Sequence, residues 1–198
     1  VSELAPRTYY WLGINTEDVE KKREYHQKGY DLGLKLCEVE DRVSCNYWAA
    51  SNIGRYAQTL GSLKQKWYFR KVSPLMDKVK EMDETYYYHG AYRYMAILIK
   101  KLSPTLRSFF GALRDDYDFT IEEAEELIKT AIDAEPRYLL NHVTLAEIYI
   151  EQGKDVEAIK KLKWVLEQDP NALPKAMPEN VYEQKRAKKI LDEYKQGG

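Results

Sequence analysis

Four side chains that could bind an anion share the faces of two predicted helices. Trp48, Ser51 and Arg55 follow one another at intervals of three and four residues, which places them on one helix face. Arg93 stands in a second predicted helix at the position equivalent to Ser51. A guanidinium binds carboxylates through two parallel hydrogen bonds, and an indole supplies an apolar wall. These residues predict a groove for a small organic ligand or for the acidic patch of another protein.

Two further polar residues extend this candidate groove. Asn52 follows Ser51, and His89 comes directly after three tyrosines at the start of the second helix. The alternative for the two arginines, Arg55 and Arg93, is structural: they pair with acids of the same chain, because ion pairs that hold a fold together are commoner than binding sites. The sequence leaves both interpretations open.

Catalytic and metal-binding motifs are missing from the sequence. It has no glycine-rich phosphate loop, no nucleophile elbow and no Cys/His cluster. The three histidines are far apart, and His142 occupies a helix-packing position. The formal net charge of -1 does not favour DNA or RNA. We therefore expect a chain that is not an enzyme, that needs no cofactor or metal and that binds no nucleic acid.

The two cysteines, Cys37 and Cys45, flank a short acidic connection. Zinc would require four ligands, and no nearby histidines complete such a set. Two alternatives remain, a disulfide that fastens one helix end to the next helix start, and two free buried thiols. A disulfide would favour an oxidising compartment.

The elements that must position these residues are indicated by an apolar pattern that recurs three times. Each set is one helical stripe with a small third residue, where a second helix could approach closely. The sets are Ala50, Ile53, Gly54 and Ala57; Tyr92, Met95, Ala96 and Ile99; and His142, Leu145, Ala146 and Tyr149. Gly29 and Gly33, four residues apart in a preceding long helix, also indicate close helix contact.

A second periodicity defines the fold class. Ala158, Leu162, Val165 and Pro170 repeat Ala124, Ile128, Ala131 and Pro136 after 34 residues, which is typical of tetratricopeptide helix pairs. The prediction is an all-α, tetratricopeptide-like helix-pair solenoid of three to four repeats with a C-terminal capping helix. Its segments are an N-terminal arm or degenerate first helix at 1–15, the repeat array at 16–170, and a linker with the capping helix at 171–198. Such arrays act as binding scaffolds.

Local signals predict where the helices begin and end. Asn15 or Thr16 should cap the long helix that follows the arm. Ser73 should cap another helix, with Pro74 in its first turn. Ser103-Pro104 breaks the periodicity, so we expect a long loop over 105–119. Its aromatic residues, Phe109 and Phe110, would either take part in binding or cap the core.

Two runs of the chain resemble a known family. The run Asn-Tyr-Trp-Ala-Ala-Ser-Asn-Ile-Gly-Arg-Tyr at 46–56 and the run Met-Asp-Glu-Thr-Tyr-Tyr-Tyr-His-Gly-Ala-Tyr-Arg at 82–93 are similar to segments of the T components of TRAP transporters. The resemblance spans roughly residues 20 to 195 and includes the Ser103-Pro104 break. The last repeats are also similar to regulator-of-microtubule-dynamics proteins, through Ala-x-x-Tyr and Asp-Pro, although the Tyr-Trp segment fits less well.

The first resemblance implies a periplasmic lipoprotein of a tripartite ATP-independent periplasmic transporter. It would associate with the transporter's solute-binding protein, form a homo-oligomer and offer a cavity to a hydrophobic or organic-acid ligand. Membrane contact would come only through a lipid anchor that is missing from this chain. The expectation is therefore a non-enzymatic periplasmic scaffold. The alternative is a general adaptor, cytoplasmic or periplasmic, that clasps a peptide segment.

Overall fold

The structure, a computed structural model, describes residues 4–60, 62–112 and 117–197. Its regular elements within these ranges are ten α-helices and two short 3-10 helices, without a strand. The predicted all-α class is therefore confirmed for this part of the chain. The chain divides into two compact units, Val1–Tyr86 and Tyr87–Gly198. The predicted segment bounds near residues 15 and 170 stay a prediction.

The first unit consists of four helices: α1 (Leu4–Asn15), α2 (Val19–Val39), α3 (Val43–Gln58) and α4 (Ser62–Met82). Helix α2 packs against α1 and α3, and α3 also contacts both α1 and α4. Helices α3 and α4 contribute buried aliphatic side chains to the core, besides the buried aromatic residues Tyr47 and Trp48. The aliphatic residues are Ala49, Ala50, Ile53, Ala57, Val72, Met76 and Val79.

Close packing of α2 on α3 depends on the two glycines that the sequence singles out. A Cβ atom added to Gly33 would lie 2.9 Å from the Cβ and 3.0 Å from the Cα of Ala49. A Cβ atom at Gly29 would lie 2.5 Å from the side chain of Asn52. The close helix contact predicted from their spacing is confirmed. Gly54 differs, because no heavy atom of the described residues lies within 4 Å of its added Cβ.

Two predicted boundaries in this unit are wrong. Helix α2 is capped by Asp18 rather than by Asn15 or Thr16, because α1 continues through Asn15. The Asp18 carboxylate accepts the backbone N–H groups of Glu20 and Lys21 at 2.9 and 3.1 Å. These hydrogen bonds, that from Lys21 first, lower the pKa of Asp18.

Pro74 does not start a helix but lies inside α4. A proline in a helix interior removes one backbone hydrogen bond and crowds the preceding turn, which the sequence-based prediction treated as a break. The helix is continuous here because Val72, Met76 and Val79 bury one stripe on both sides of the proline. Tertiary packing outweighs the local preference.

The second unit contains six α-helices and two 3-10 turns. They are α5 (Tyr86–Lys101), α6 (Pro104–Gly111), α7 (Ile121–Ala134), α8 (Leu139–Glu151), α9 (Asp155–Glu167), the turns Pro170–Ala172 and Pro174–Ala176, and α10 (Met177–Gly197). Helix α8 packs against α7, α9 and α10. One core cluster joins the last three helices: Leu139, Val143, Ala146, Leu162, Val165, Ala187 and Leu191.

The apolar repeat found in the sequence is buried in both α7 and α9. The stripes at 124–131 and 158–165 are fully buried at all six positions: Ala124, Ile128, Ala131, Ala158, Leu162 and Val165. Thr120 caps α7 as predicted, since its hydroxyl accepts the backbone N–H of Glu123 at 3.1 Å. Gly153 ends α8 with a positive φ of 71°.

The segment predicted as a long aromatic loop begins with a helix. Both phenylalanines lie on α6, which starts directly after Ser103. The ring of Phe110 stacks on that of Phe119 at 5.8 Å, whereas Phe109 is 57% exposed. The rest of the predicted loop includes residues 113–116, which lie outside the described residues.

None of the helices, over the residues the structure describes, combines the length and the apolar character needed to cross a membrane.

The glycine contacts give a paired test of helix packing. Gly33→Ala should lower the free energy of unfolding by about 1–2 kcal/mol, because its Cβ would press on the backbone of α3. Gly54→Ala should raise it by about 0.5–1 kcal/mol, because the new methyl group meets open space and alanine favours helix. Urea denaturation measures both. Equal effects of the two substitutions would contradict the packing described here.

Candidate functional site

The candidate groove residues of the first unit are covered by α1. Trp48 is 4% exposed. The ring of Tyr10 meets its indole edge-on at 5.6 Å, and the guanidinium of Arg7 lies 5.6 Å from the indole centre. The predicted apolar wall is therefore part of the packing between α1 and α3.

Asn52 lies at the centre of this packing and is fully buried. Its amide nitrogen donates to the carbonyl oxygens of Pro6 at 3.0 Å and Trp48 at 2.8 Å. Its amide oxygen is 3.2 Å from Nδ1 of His26. One side chain of α3 thus holds α1 and α2 in place.

Arg55 points to α1 as well. Its Nε and Nη2 atoms donate to the hydroxyl of Tyr10 at 3.1 and 3.0 Å, and Nη1 donates to Gln58 at 3.3 Å. Ser51, on the same helix, is half-buried. The guanidinium of Arg55, which the sequence predicts to bind an anion, is hydrogen-bonded to the hydroxyl of Tyr10 in the structure. A role of Arg55 in ligand binding stays a prediction.

Arg93, in the second unit, is 3% exposed. Its Nη1 atom donates to the carbonyl of Tyr88 and to Oδ1 of Asn141, both at 3.0 Å, and Nη2 donates to the carbonyl of Tyr87 at 3.1 Å. The guanidinium also lies 4.8 Å from the centre of the Tyr138 ring. These hydrogen bonds and the contact with the Tyr138 ring give Arg93 a structural role.

Arg93 braces a strained turn at the start of α5. Tyr87, Tyr88 and His89 have φ angles of 49°, 60° and 55°, in the left-handed region that residues with a Cβ rarely adopt. The two carbonyl groups that Arg93 binds belong to this turn. The hydroxyl of Tyr87 donates to the carboxylate of Glu179 in α10. The left-handed turn is therefore held from two sides.

His89 ends this turn and is half-buried. Its ring centre lies 5.5 Å from that of Tyr92, and its Nδ1 atom has no hydrogen-bond partner among the described residues. A buried, unpaired ring nitrogen costs stability, as does the positive φ at this position.

A chain of alternating charges links three helices of the second unit, and the sequence analysis did not anticipate it. Glu147 in α8 binds both Lys100 in α5 and Arg186 in α10, and Arg186 also binds Glu183 at 2.6 Å. Burial raises the pKa of Glu147, but the charges of Arg186 and Lys100 outweigh burial and bring the pKa to about 2. These charges serve helix packing.

The other two histidines are buried and uncharged. Burial lowers the pKa values of His26 and His142 to about 4. Nε2 of His142 donates to the carbonyl of Pro136 at 2.8 Å, and its ring stacks on Trp164 at 4.2 Å. Both imidazoles therefore act as packed polar groups.

Of the two alternatives for the cysteines, the structure contains the bridge. A disulfide joins Cys37 near the end of α2 to Cys45 in the first turn of α3, with Cα atoms 5.6 Å apart. Asp41 lies close to both sulfur atoms, but its carboxylate binds Lys78 at 2.9 Å. The bridge fastens the α2–α3 connection.

Sequence reasoning missed the buried amides that complete these networks. Asn141 donates to the carbonyl of Ala131 at 3.0 Å while it accepts from Arg93. Asn180 in α10 accepts the backbone N–H of Leu139 at 2.9 Å. An asparagine on the apolar side of a predicted helix is the signal that could have identified them, because a buried amide must be hydrogen-bonded.

Comparison with known proteins identifies the family. The family model for regulator of microtubule dynamics protein 1-3 matches residues 4–195. The chain belongs to this family. No curated protein gives a significant match.

This match overturns the resemblance to the T components of TRAP transporters. The expected periplasmic lipoprotein that binds a solute-binding protein is therefore wrong, and the match does not support the general peptide adaptor either. The physical reason is the nature of the shared motifs. Much of the run at 46–56 that carried the resemblance, including Trp48, Ala49, Ala50 and Ile53, is buried core. Such residues report helix packing rather than a ligand or partner.

The histidine pKa values predict how stability depends on pH. Between pH 6.5 and 4, unfolded chains bind protons at His26 and His142 whereas folded chains do not. The free energy of unfolding should therefore fall as the pH falls, by up to about 1.4 kcal/mol per pH unit for each histidine. Urea denaturation at pH 7, 6 and 5 measures this slope. His26→Gln and His142→Gln should each reduce it, and an unchanged slope in both variants would contradict buried neutral histidines.

A glycine–alanine comparison at position 89 tests the left-handed turn. His89→Gly should be about 1 kcal/mol more stable than His89→Ala, because only glycine adopts positive φ without strain. The matched control is Lys160, exposed in the regular helix α9, where alanine should be the more stable by about 1 kcal/mol. Thermal unfolding of the four variants gives both differences. If the alanine variant were more stable than the glycine variant at both positions, a left-handed conformation of His89 would be excluded.

Proposed function

We propose that this chain is a non-enzymatic regulator of microtubule dynamics that acts by binding the polymer through its surface. The observation that carries the proposal is the family match, which covers residues 4–195. A tetratricopeptide-like array of about three to four helix pairs is the proposed architecture, and the 34-residue repeat of buried stripes in α7 and α9 supports it.

The use of the reactive side chains supports a binding role over catalysis. His26 and His142 are buried and neutral, and Glu147 is engaged by two cations. A general acid or base must instead reach a substrate and titrate near the working pH. These interior side chains therefore serve packing, and we expect a partner to contact exposed residues instead.

Exposed lysines on α9 and α10 supply a surface suited to an acidic protein partner. The two helices pack against each other, and Gln184 of α10 donates to the carbonyl oxygens of Val165 in α9 and of Gln168 at the C-cap of α9. Exposed cations attract an acidic partner and speed its association. The exposed lysines are Lys160, Lys163, Lys185, Lys188 and Lys189.

Co-sedimentation with stabilised microtubules tests this function directly. We expect the chain to pellet with the polymer at low salt and to be released as the ionic strength rises, because exposed charges are screened beyond about 10 Å at 0.1 M salt. Light scattering of growing tubulin should show an altered rate of assembly or disassembly. Both assays are run with and without reductant, since a reducing compartment would open the disulfide between Cys37 and Cys45.

A pair of double variants locates the contact. Lys185→Gln with Lys188→Gln should reduce the bound fraction several-fold. Lys28→Gln with Lys35→Gln removes the same charge from exposed positions of α2 and should leave binding unchanged. If both double variants lost the same bound fraction, binding would depend on net charge alone and not on the lysines of α10. A wild-type chain that neither pellets with microtubules nor changes their assembly would overturn the proposed function.

A further inference from the structure

A cleft lined by α1 and the start of α2 shares no residue with the proposed microtubule contact. It has a volume of about 460 Å³, within the range of small-molecule sites. Helix α1 lines it with residues spaced three and four apart, and α2 adds two residues spaced four apart. The lining residues are Thr8, Trp11, Leu12, Asn15, Thr16, Lys21 and Tyr25.

Solvent-exposed apolar side chains lie in the lining of the cleft and close to it in sequence. Leu12, in the lining, is 43% exposed, and Val19 and Leu4 nearby in sequence are 48% and 60% exposed. Trp11 and Tyr25 are half-buried. Apolar surface beside a concave site is a common property of ligand-binding clefts, because binding removes that surface from water.

The charges favour an anionic ligand. Lys21 carries the only formal charge among the lining residues described, and it is exposed. The acids beside it on α2 are occupied: Glu20 binds Arg23 and Glu24 binds Lys28, each at 2.6 Å. Asp18 accepts backbone N–H groups as the helix cap. The carboxylate of Asp18 interacts with the charge of Lys21 but is not part of the lining, so Lys21 gives the lining a positive charge.

The lining of the cleft also contains polar side chains. The hydroxyl of Thr8 donates to the carbonyl of Leu4, and the Asn15 amide donates to the carbonyl of Trp11. These bonds orient the two side chains and leave the lone pairs of Thr8 and Oδ1 of Asn15 as acceptors. Thr16 is the third hydrogen-bonding residue of the lining besides Lys21 and Tyr25.

We infer that this cleft binds a small amphipathic carboxylate. The carboxylate pairs with Lys21 and the hydroxyl of Thr16, and an apolar body of about one aromatic ring lies against Trp11, Leu12 and Tyr25. The site is independent of the proposed microtubule contact, because it shares no residue with the lysines of α9 and α10.

Titration with 3-phenylpropionate, followed by the indole N–H signal in ¹H–¹⁵N spectra of the full chain, tests this site. The Trp11 signal is assigned by its loss in Trp11→Phe. We expect it to shift with a dissociation constant on the order of 1 mM, the affinity usual for a ligand of this size. The neutral 3-phenylpropionamide and the cationic 3-phenylpropylamine should bind at least fivefold more weakly, because neither pairs with Lys21.

Matched variants separate the site from general surface binding. Lys21→Gln should weaken 3-phenylpropionate binding about fivefold, and Leu12→Glu should abolish it, because a carboxylate then enters the cleft. Lys35→Gln removes an equal charge from an exposed position of α2 outside the lining and should have no effect. Circular dichroism checks that each variant is folded. The inference is overturned if the acid, the amide and the amine bind equally, if Trp11 does not shift at 10 mM acid, or if Lys21→Gln and Lys35→Gln behave alike.

Discussion

Buried amide side chains determine how the helices of each unit fit together. An amide leaves water without a large cost only when its donors and its acceptor find partners. Asn52 meets this condition with Pro6, His26 and the carbonyl of Trp48, so α1, α2 and α3 have one mutual arrangement. Asn141 links Arg93 to the end of α7 in the same way. Apolar contacts supply much of the stability, whereas these directional bonds select the arrangement.

This constraint explains why Arg93, a candidate binding residue in the sequence, is bonded within the interior, as is Glu147. Arg93 satisfies carbonyl groups of a left-handed turn, and Glu147 balances Lys100 and Arg186. Removing one member would leave the others buried and unpaired, which is costly. The contacts that we propose with other molecules accordingly use exposed features, namely the lysines of α9 and α10 and the cleft lined by α1 and the start of α2.

The local sequence predicted the apolar stripes of the helices well, but it did not predict which other helix packs over a given face. The stripes at 124–131 and 158–165 are buried as expected, because a helix with one apolar face must pack that face. The prediction that Trp48 lines a groove did not include α1, whose first dozen residues lack a full apolar stripe. Its docking depends on Tyr10 and on Gly13, where an added Cβ would lie 2.4 Å from the His26 ring. Such contacts join residues far apart in sequence and have no periodic signal.

The sequence by itself determined the all-α class, the caps at Thr120 and Gly153, and the close approach at Gly29 and Gly33. These features follow from side-chain spacing and backbone preference within one or two helix turns. Tertiary structure decided the continuity of α4 through Pro74, the left-handed turn at Tyr87–His89 and the partners of buried polar groups such as Asn52 and Arg93. Each of these is locally unfavourable or undetermined, and only packing against distant residues makes it stable.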